Sequence, residues 1–206
     1  MPRLKSSARI SLILRGSVFV DKAWKALTGL GHETAETVEI GPYRIVERFD
    51  VALASLAVRR GQDKGFQAAA KKLGVPLPGA ARHEAGKVFS AFWTTPEMWL
   101  VEADFATHED IVSALKPGFA ETASITEQTD AWVRFDVSGA GLVALFERLT
   151  NLDLATLPDG FASRTVIEHL GVYLIRHSAT LVTLYGPRSS AQGLLHALEV
   201  TVKSVL

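Results

Sequence analysis

With 206 residues, 48% of them apolar and 21% charged, the chain has the composition of a globular protein that can bury a core as one domain or as two half-sized lobes. Its 22 Lys and Arg balance 22 Asp and Glu, which leaves no net field to draw in nucleic acid or anionic lipid. The absence of cysteine excludes disulfides, thiolate nucleophiles, iron–sulfur clusters and cysteine-based zinc sites.

Residues 1–35 show no sustained hydrophobic period, and Gly29, Gly31 and Thr34 interrupt their apolar content. The start is basic, and its apolar run at residues 10–14 lacks both the length and the cleavage site of a signal peptide. It is also far short of the roughly 20 residues of a membrane helix. These residues read as a weakly structured N-terminal extension, and the cytoplasm is the expected location. From Thr37 onward, TVEIGPYRIVERF predicts two strands around a Gly41-Pro42 turn, followed by a strand over residues 52–60.

Four helices are predicted by spacing. Phe66, Ala69, Ala70 and Leu73 fall at i, i+3, i+4 and i+7, with Gly74 placed to end the turn. Ile111, Val112 and Leu115 form a shorter stripe, with Thr107 and Asp110 as a capping box and Pro117 as terminator. Leu142, Leu145, Phe146 and Leu149 follow Ser138 as N-cap, and Ala191, Leu194, Leu195, Leu198 and Val202 make the longest stripe. Strand-like runs lie between them, at residues 87–93, 98–103, 124–127, 131–137, 165–170, 172–176 and 181–185. Each helix has one apolar face, so each is expected to pack on a sheet.

The pattern is α+β. Two halves, about residues 50–120 and 121–206, read as duplicated β-α-β-β-α units within a single domain spanning 36–206. Leu115 and Leu198 correspond between the halves, as do Trp93 and Arg176.

Catalytic chemistry is hard to nominate. None of the six histidines shows a helical zinc spacing. Glu102 and Asp104 could share a strand face and read as a solvated edge; Glu109 and Asp110 sit in a first helical turn, where the dipole favours them. Ser189 and Ser190 after Gly186-Pro187-Arg188 could cradle an anion, but read as a helix cap without the lysine of a phosphate loop. No dinucleotide fingerprint or nucleophile elbow occurs. No catalytic, cofactor-binding or metal-binding residue is therefore assigned. Around Trp132, however, Val133, Phe135 and Val137 alternate with Trp132, Arg134 and Asp136. The second set is mixed aromatic and charged, a composition suited to a protein contact. With Arg164, Glu168 and Arg188 these residues are the expected partner surface; the competing reading is an internal ion-pair network such as Arg134 with Glu168.

Four blocks carry a family likeness. Residues 126–132 read TEQTDAW, 147–154 ERLTNLDL, 163–173 SRTVIEHLGVY and 185–198 YGPRSSAQGLLHAL. In that order and spacing they resemble the gamma subunit of heterotetrameric sarcosine oxidase, with LAVRRG at residues 56–61 and Trp99-Leu100-Val101 as fainter matches. The family is similar in turn to the N-terminal region of T-protein-type aminomethyltransferases, which implies their folate-binding fold.

The resemblance implies a noncatalytic structural subunit, partnered by alpha, beta and delta subunits. The four-subunit flavoenzyme demethylates sarcosine to glycine with release of hydrogen peroxide and, given tetrahydrofolate, forms methylene-tetrahydrofolate. FAD, FMN, NAD, tetrahydrofolate and zinc are implied for the other subunits and none for this chain. The alternative is a free-standing folate-binding or aminomethyltransferase-type protein. Against that alternative, the sequence is too short for a T-protein's C-terminal domains, and no segment matches that family's catalytic aspartate.

Overall fold

The computed structural model describes residues 26–206, so most of the extension expected at 1–35 lies outside the described residues. In its described part Thr28 and Leu30 are buried while residues 31–34 are exposed, and Leu30 N–H donates to Glu47 Oε1 at 2.9 Å. Glu47 is itself buried in a strand, and its second oxygen accepts from Glu36 N–H at 3.3 Å. One carboxylate thereby holds two backbone amides of the entering segment, bonds stronger than those between neutral partners.

Eleven strands and five α-helices are formed among the described residues. In chain order they are β1 (Thr37–Ile40), β2 (Tyr43–Arg48), β3 (Val51–Val58), α1 (Asp63–Leu73), β4 (His83–Ala85), β5 (Ser90–Thr95), β6 (Met98–Asp104), α2 (Phe105–His108), α3 (Ile111–Phe119), β7 (Ala123–Glu127), β8 (Trp132–Ser138), α4 (Leu142–Leu149), β9 (Phe161–Ile167), β10 (Leu170–Ser178), β11 (Leu181–Pro187) and α5 (Ala191–Ser204). All strand pairs are antiparallel. One sheet has the order β1-β2-β8-β11-β10-β9, the other β4-β5-β6-β3-β7.

Period-two burial explains how the sheets stack. On β8, Val133, Phe135 and Val137 join Leu142, Leu145, Phe146, Leu194 and Leu198 in one core, so α4 and α5 cover the outer face of the six-stranded sheet. On β3 and β6, Ala52, Ala54, Leu56 and Val101 meet Phe66, Ile111, Leu115 and Phe119, so α1 and α3 cover the five-stranded sheet. The inner faces meet over Leu53, Phe92, Leu100, Tyr173, Ile175 and Tyr185. The result is four layers, with helices outside and the two sheets face to face.

The sheets share the orders β4-β5-β6-β3 and β9-β10-β11-β8, so each half contains a β-α-β-β-β-α run rather than the β-α-β-β-α unit expected. The short β4 was missed because HEA carries no apolar alternation. A division at 120/121 does not follow the sheets either. β1 and β2 join the sheet of the second half through β8, while β7 returns to the first half's sheet beside β3. Strand β7 thereby crosses from the second half to the sheet of the first.

Local corrections have simple causes. Gly74 does end α1, at φ 69°. Ser138 does not cap α4, because it is still paired in β8 with Arg44 and Leu181; Gly141 takes the cap position. The Thr107–Asp110 region makes two helices instead of one capping box, with Asp104 accepting from Thr107 N–H and Asp110 from Ser113 N–H. Pro117 lies inside α3, in its last turn, and the helix runs on to Phe119. The strand expected at residues 165–170 ends at Ile167, because Glu168, at φ 56°, turns the chain into β10.

Candidate functional site

Where the two sheets face each other, apolar packing gives way to charge. Register puts Arg48, Arg134, Tyr185, Tyr173 and Arg164 in one row across β2, β8, β11, β10 and β9. Asp136 and Thr183 are paired in the next row. From the opposite sheet, Glu102 on β6 and His83 on β4 reach into this row.

Glu102 is the hub. Only 6% exposed, it accepts from Arg134 Nη1 at 3.3 Å and from the Tyr185 hydroxyl through Oε1, and it meets His83 Nε2 at 3.2 Å through Oε2. Arg134 also makes a fork to Asp136, with Nε to Oδ1 at 3.0 Å and Nη2 to Oδ2 at 3.2 Å, and its Cζ lies 5.7 Å from the Tyr185 ring centre. Asp136 further accepts from Thr183 Oγ1 at 2.6 Å and Arg48 Nη1 at 3.2 Å, so it bridges two arginines that would otherwise repel across the strand pair. His177 Nε2 lies 2.9 Å from Thr183 Oγ1, and its ring meets His83 edge-on at 5.2 Å.

Burial pushes the Glu102 carboxyl up, but His83, Arg134 and Tyr185 outweigh it and hold the group below the ordinary carboxylate range. Burial, then the Glu102 charge, raises the Tyr185 phenol well above its usual value. Burial lowers Arg134, but negative charge around it, that of Tyr185 only once its phenol ionises at high pH and that of Asp136 and Glu102 throughout, reverses the direction and keeps it protonated. Burial, then His83 and Arg134, lowers His177. The network therefore holds an ionised carboxylate saturated with donors, a protonated phenol and a permanent cation. Chemically it is a clasp between the sheets. Its carboxylate, already bonded through both oxygens, is poorly placed to act as a base.

Beside the clasp a cleft of about 200 Å³ opens between the entering chain and the β2–β3 turn. Leu27, Phe49, Leu53, Phe105, Trp132 and Arg188 line it, and Phe49 at its lip is 55% exposed. Trp132 Nε1 is buried there without a hydrogen-bond partner among the described residues. Arg188 donates to Leu27 O at 2.5 Å and Thr28 O at 3.2 Å, and stands 3.4 Å from Asp130. Arg188→Ala is expected to leave the melting temperature within a few degrees of the parent while limited proteolysis near residues 26–35 becomes several-fold faster. Unchanged cleavage would show that these bonds do not hold the segment.

Of the five expected partner-surface residues, the structure brings Trp132, Arg134 and Arg188 to this one cleft. The charged face of β8 is not an outer surface, however, since it looks onto the second sheet. Arg134 pairs with Glu102 and Asp136 rather than with Glu168, which is exposed in the β9–β10 turn. Arg164 is exposed on β9, away from the cleft. Glu102, expected on a solvated edge, is buried. Its signal was available in MWLVEAD, where a lone glutamate falls inside an apolar strand. His83 and Tyr185 gave no comparable signal, because their partners come from distant strands.

Among the described residues no group of His, Asp and Glu could hold a metal ion, and no helix is long and apolar enough to cross a membrane. No protein-family model matches the chain, and no curated protein matches it in sequence. Solved structures do match its fold. A chain of the heterotetrameric sarcosine oxidase from Corynebacterium sp. U-96, in complex with pyrrole 2-carboxylate, superposes with a TM-score of 0.69 at 20% identity, over 81% of this chain and 87% of that one. The glycine cleavage system aminomethyltransferase T from Bartonella henselae superposes with a TM-score of 0.56 at 9% identity, over 74% of this chain and 44% of that one. The chain thus spans less than half the length of the aminomethyltransferase, and at these identities the likeness is one of fold.

Proposed function

We propose that this chain is a noncatalytic, gamma-type subunit of a four-subunit flavoenzyme that oxidatively demethylates sarcosine, with alpha, beta and delta subunits as its cytoplasmic partners. The observation that carries the reading is the difference in fit between two folds. The chain superposes on a chain of a heterotetrameric sarcosine oxidase with a TM-score of 0.69 at 20% identity, against 0.56 and 9% for an aminomethyltransferase. The better superposition favours a role of the first kind over that of a free-standing transferase.

The site supports the same reading. Its charged groups are spent on one another, Glu102 on Arg134, Tyr185 and His83, and Asp136 on Arg134, Arg48 and Thr183. In this reading FAD, FMN, NAD, tetrahydrofolate and zinc are held by the other subunits. The isolated chain is then expected to be colourless, to release no peroxide from sarcosine, and to show no tight tetrahydrofolate binding by calorimetry. A flavin absorbance band or peroxide release would overturn the noncatalytic assignment, and micromolar folate affinity would favour the folate-binding alternative.

A further inference from the structure

Strand β9 forms one edge of the six-stranded sheet, paired with β10 along its inner side. On its outer side only the first residues find a partner: Ala162 N–H donates to Ala81 O, and Phe161 stands opposite Arg82. Main-chain groups face alternate sides along a strand. The N–H and C=O of Arg164 and Val166 therefore face outward, as those of Ala162 do; among the described residues no backbone hydrogen bond takes them, and only the Arg164 carbonyl accepts from a side chain, Ser163 Oγ at 3.3 Å. Val166 adds an apolar side chain that is 56% exposed. A bare edge of this kind is a template for another strand.

Charge indicates what the edge would accept. Arg148, in the last turn of α4, approaches from the helix-covered face of the sheet. Arg164 belongs to the opposite face, with its guanidinium laid across Gly171, where a Cβ would stand 2.9 Å from Nη2. Neither arginine is in an ion pair among the described residues, and the one side-chain hydrogen bond of Arg148 goes to Ser204 Oγ at 3.5 Å. A groove of about 610 Å³ runs along the edge past Thr150, Asn151 and Thr165, and no Asp or Glu lines it. The Thr150 and Thr165 hydroxyls bond each other at 2.5 Å, and Thr165 donates to Asn151 Oδ1 at 3.2 Å, which orients that side chain.

We infer that the β9 edge is a strand-addition site for an extended, acidic segment of a partner subunit. Its carboxylates would stand at successive positions, one over each face of the sheet, to meet Arg148 and Arg164. The inference rests on the subunit reading above. Main-chain bonds to Arg164 and Val166 supply affinity, and the two guanidiniums select the sequence. A second copy of this chain is a poor occupant, because antiparallel pairing of β9 with itself brings like charges together.

The test uses two variants of the full chain, tagged and co-expressed with the other three subunits. Val166→Pro removes one outward N–H and leaves the ladder to β10 intact, a change that edge strands tolerate. The pair Arg148→Glu and Arg164→Glu reverses both charges. Both variants should melt within a few degrees of the parent and lose recovery of the other subunits by roughly tenfold or more. Recovery at the parent's level with both variants would overturn the edge assignment alone. Should Val166→Pro melt far lower, the charge-reversed pair decides by the same measurement. Sedimentation showing a dimer that Val166→Pro abolishes would give the edge to a second copy and also overturn the inference. If the parent chain recovers no other subunit, the subunit reading fails first, and the inference falls with it.

Discussion

Replacing Arg134 by methionine is expected to cost the isolated chain about 3–5 kcal/mol, a fall in melting temperature of roughly 6–20 °C. The size follows from what is left behind. Glu102 is buried and Asp136 is largely so, and without the guanidinium both carboxylates keep their desolvation cost and lose their strongest partner. The Tyr185 hydroxyl would still reach Glu102, and Thr183 and Arg48 would still reach Asp136, so the loss is partial. Adding Glu102→Leu to Arg134→Met should recover part of the stability, since removing both ends of a buried pair is far less harmful than removing one. Thermal melts of the two single variants and the double variant measure this coupling. If Arg134→Met melts within two or three degrees of the parent, the network does not clasp the sheets.

Acid is expected to loosen the same region in two stages. Burial, His83 and Arg134 hold the His177 imidazole neutral in the fold, with its pKa below the ordinary value, while the unfolded chain takes up a proton from about pH 6.5 downward. The unfolded state therefore binds more protons in that window, and stability drops as pH falls through it. Glu102 behaves alike at lower pH. Burial raises it, yet His83, Arg134 and Tyr185 bring it below its unfolded value, so its contribution is complete above about pH 4.5 and is lost as pH falls through the folded value. Asp50, lowered chiefly by its hydrogen bond from Arg48, adds to the second stage. Melting temperature should be level above about pH 7, decline below it, and drop more steeply under about pH 4.5. His177→Gln should erase the first decline and keep the second. A profile for His177→Gln identical to the parent's would remove His177 from this account.

Much of the fold was legible because its signals are local. Leu142, Leu145, Phe146 and Leu149 announce α4, Gly74 marks the end of α1, and Val133, Phe135 and Val137 show which face of β8 is buried. What covers the other face of β8 depends on long-range topology. Nothing near Trp132 says that β6 will cross over it, so a charged face suited to a partner subunit could not be told from one suited to the second sheet. Arg134 and Glu102 lie 32 positions apart and Tyr185 and Glu102 lie 83 apart, which is why no spacing rule joins them. The same limit hid the strand crossing. The segments that became β2 and β7 read as strands, but a strand's sequence does not say which sheet it enters.

Arg188 marks the boundary between the two kinds of information. Its place before the last helix was evident from the Gly186-Pro187-Arg188 turn, and α5 does begin three residues later. Its partners, Leu27 O and Thr28 O, come from a segment whose sequence has no period at all. The segment is held by backbone bonds to Arg188 and Glu47, and such bonds leave little trace in hydrophobic pattern.

The proposed role as one subunit of an oxidase assembly is open to a single decisive measurement, native mass spectrometry of the tagged chain purified from its own host without denaturant. One complex of four different polypeptides is expected, carrying flavin and releasing peroxide from sarcosine. Recovery of this chain alone, or only with copies of itself, would contradict it.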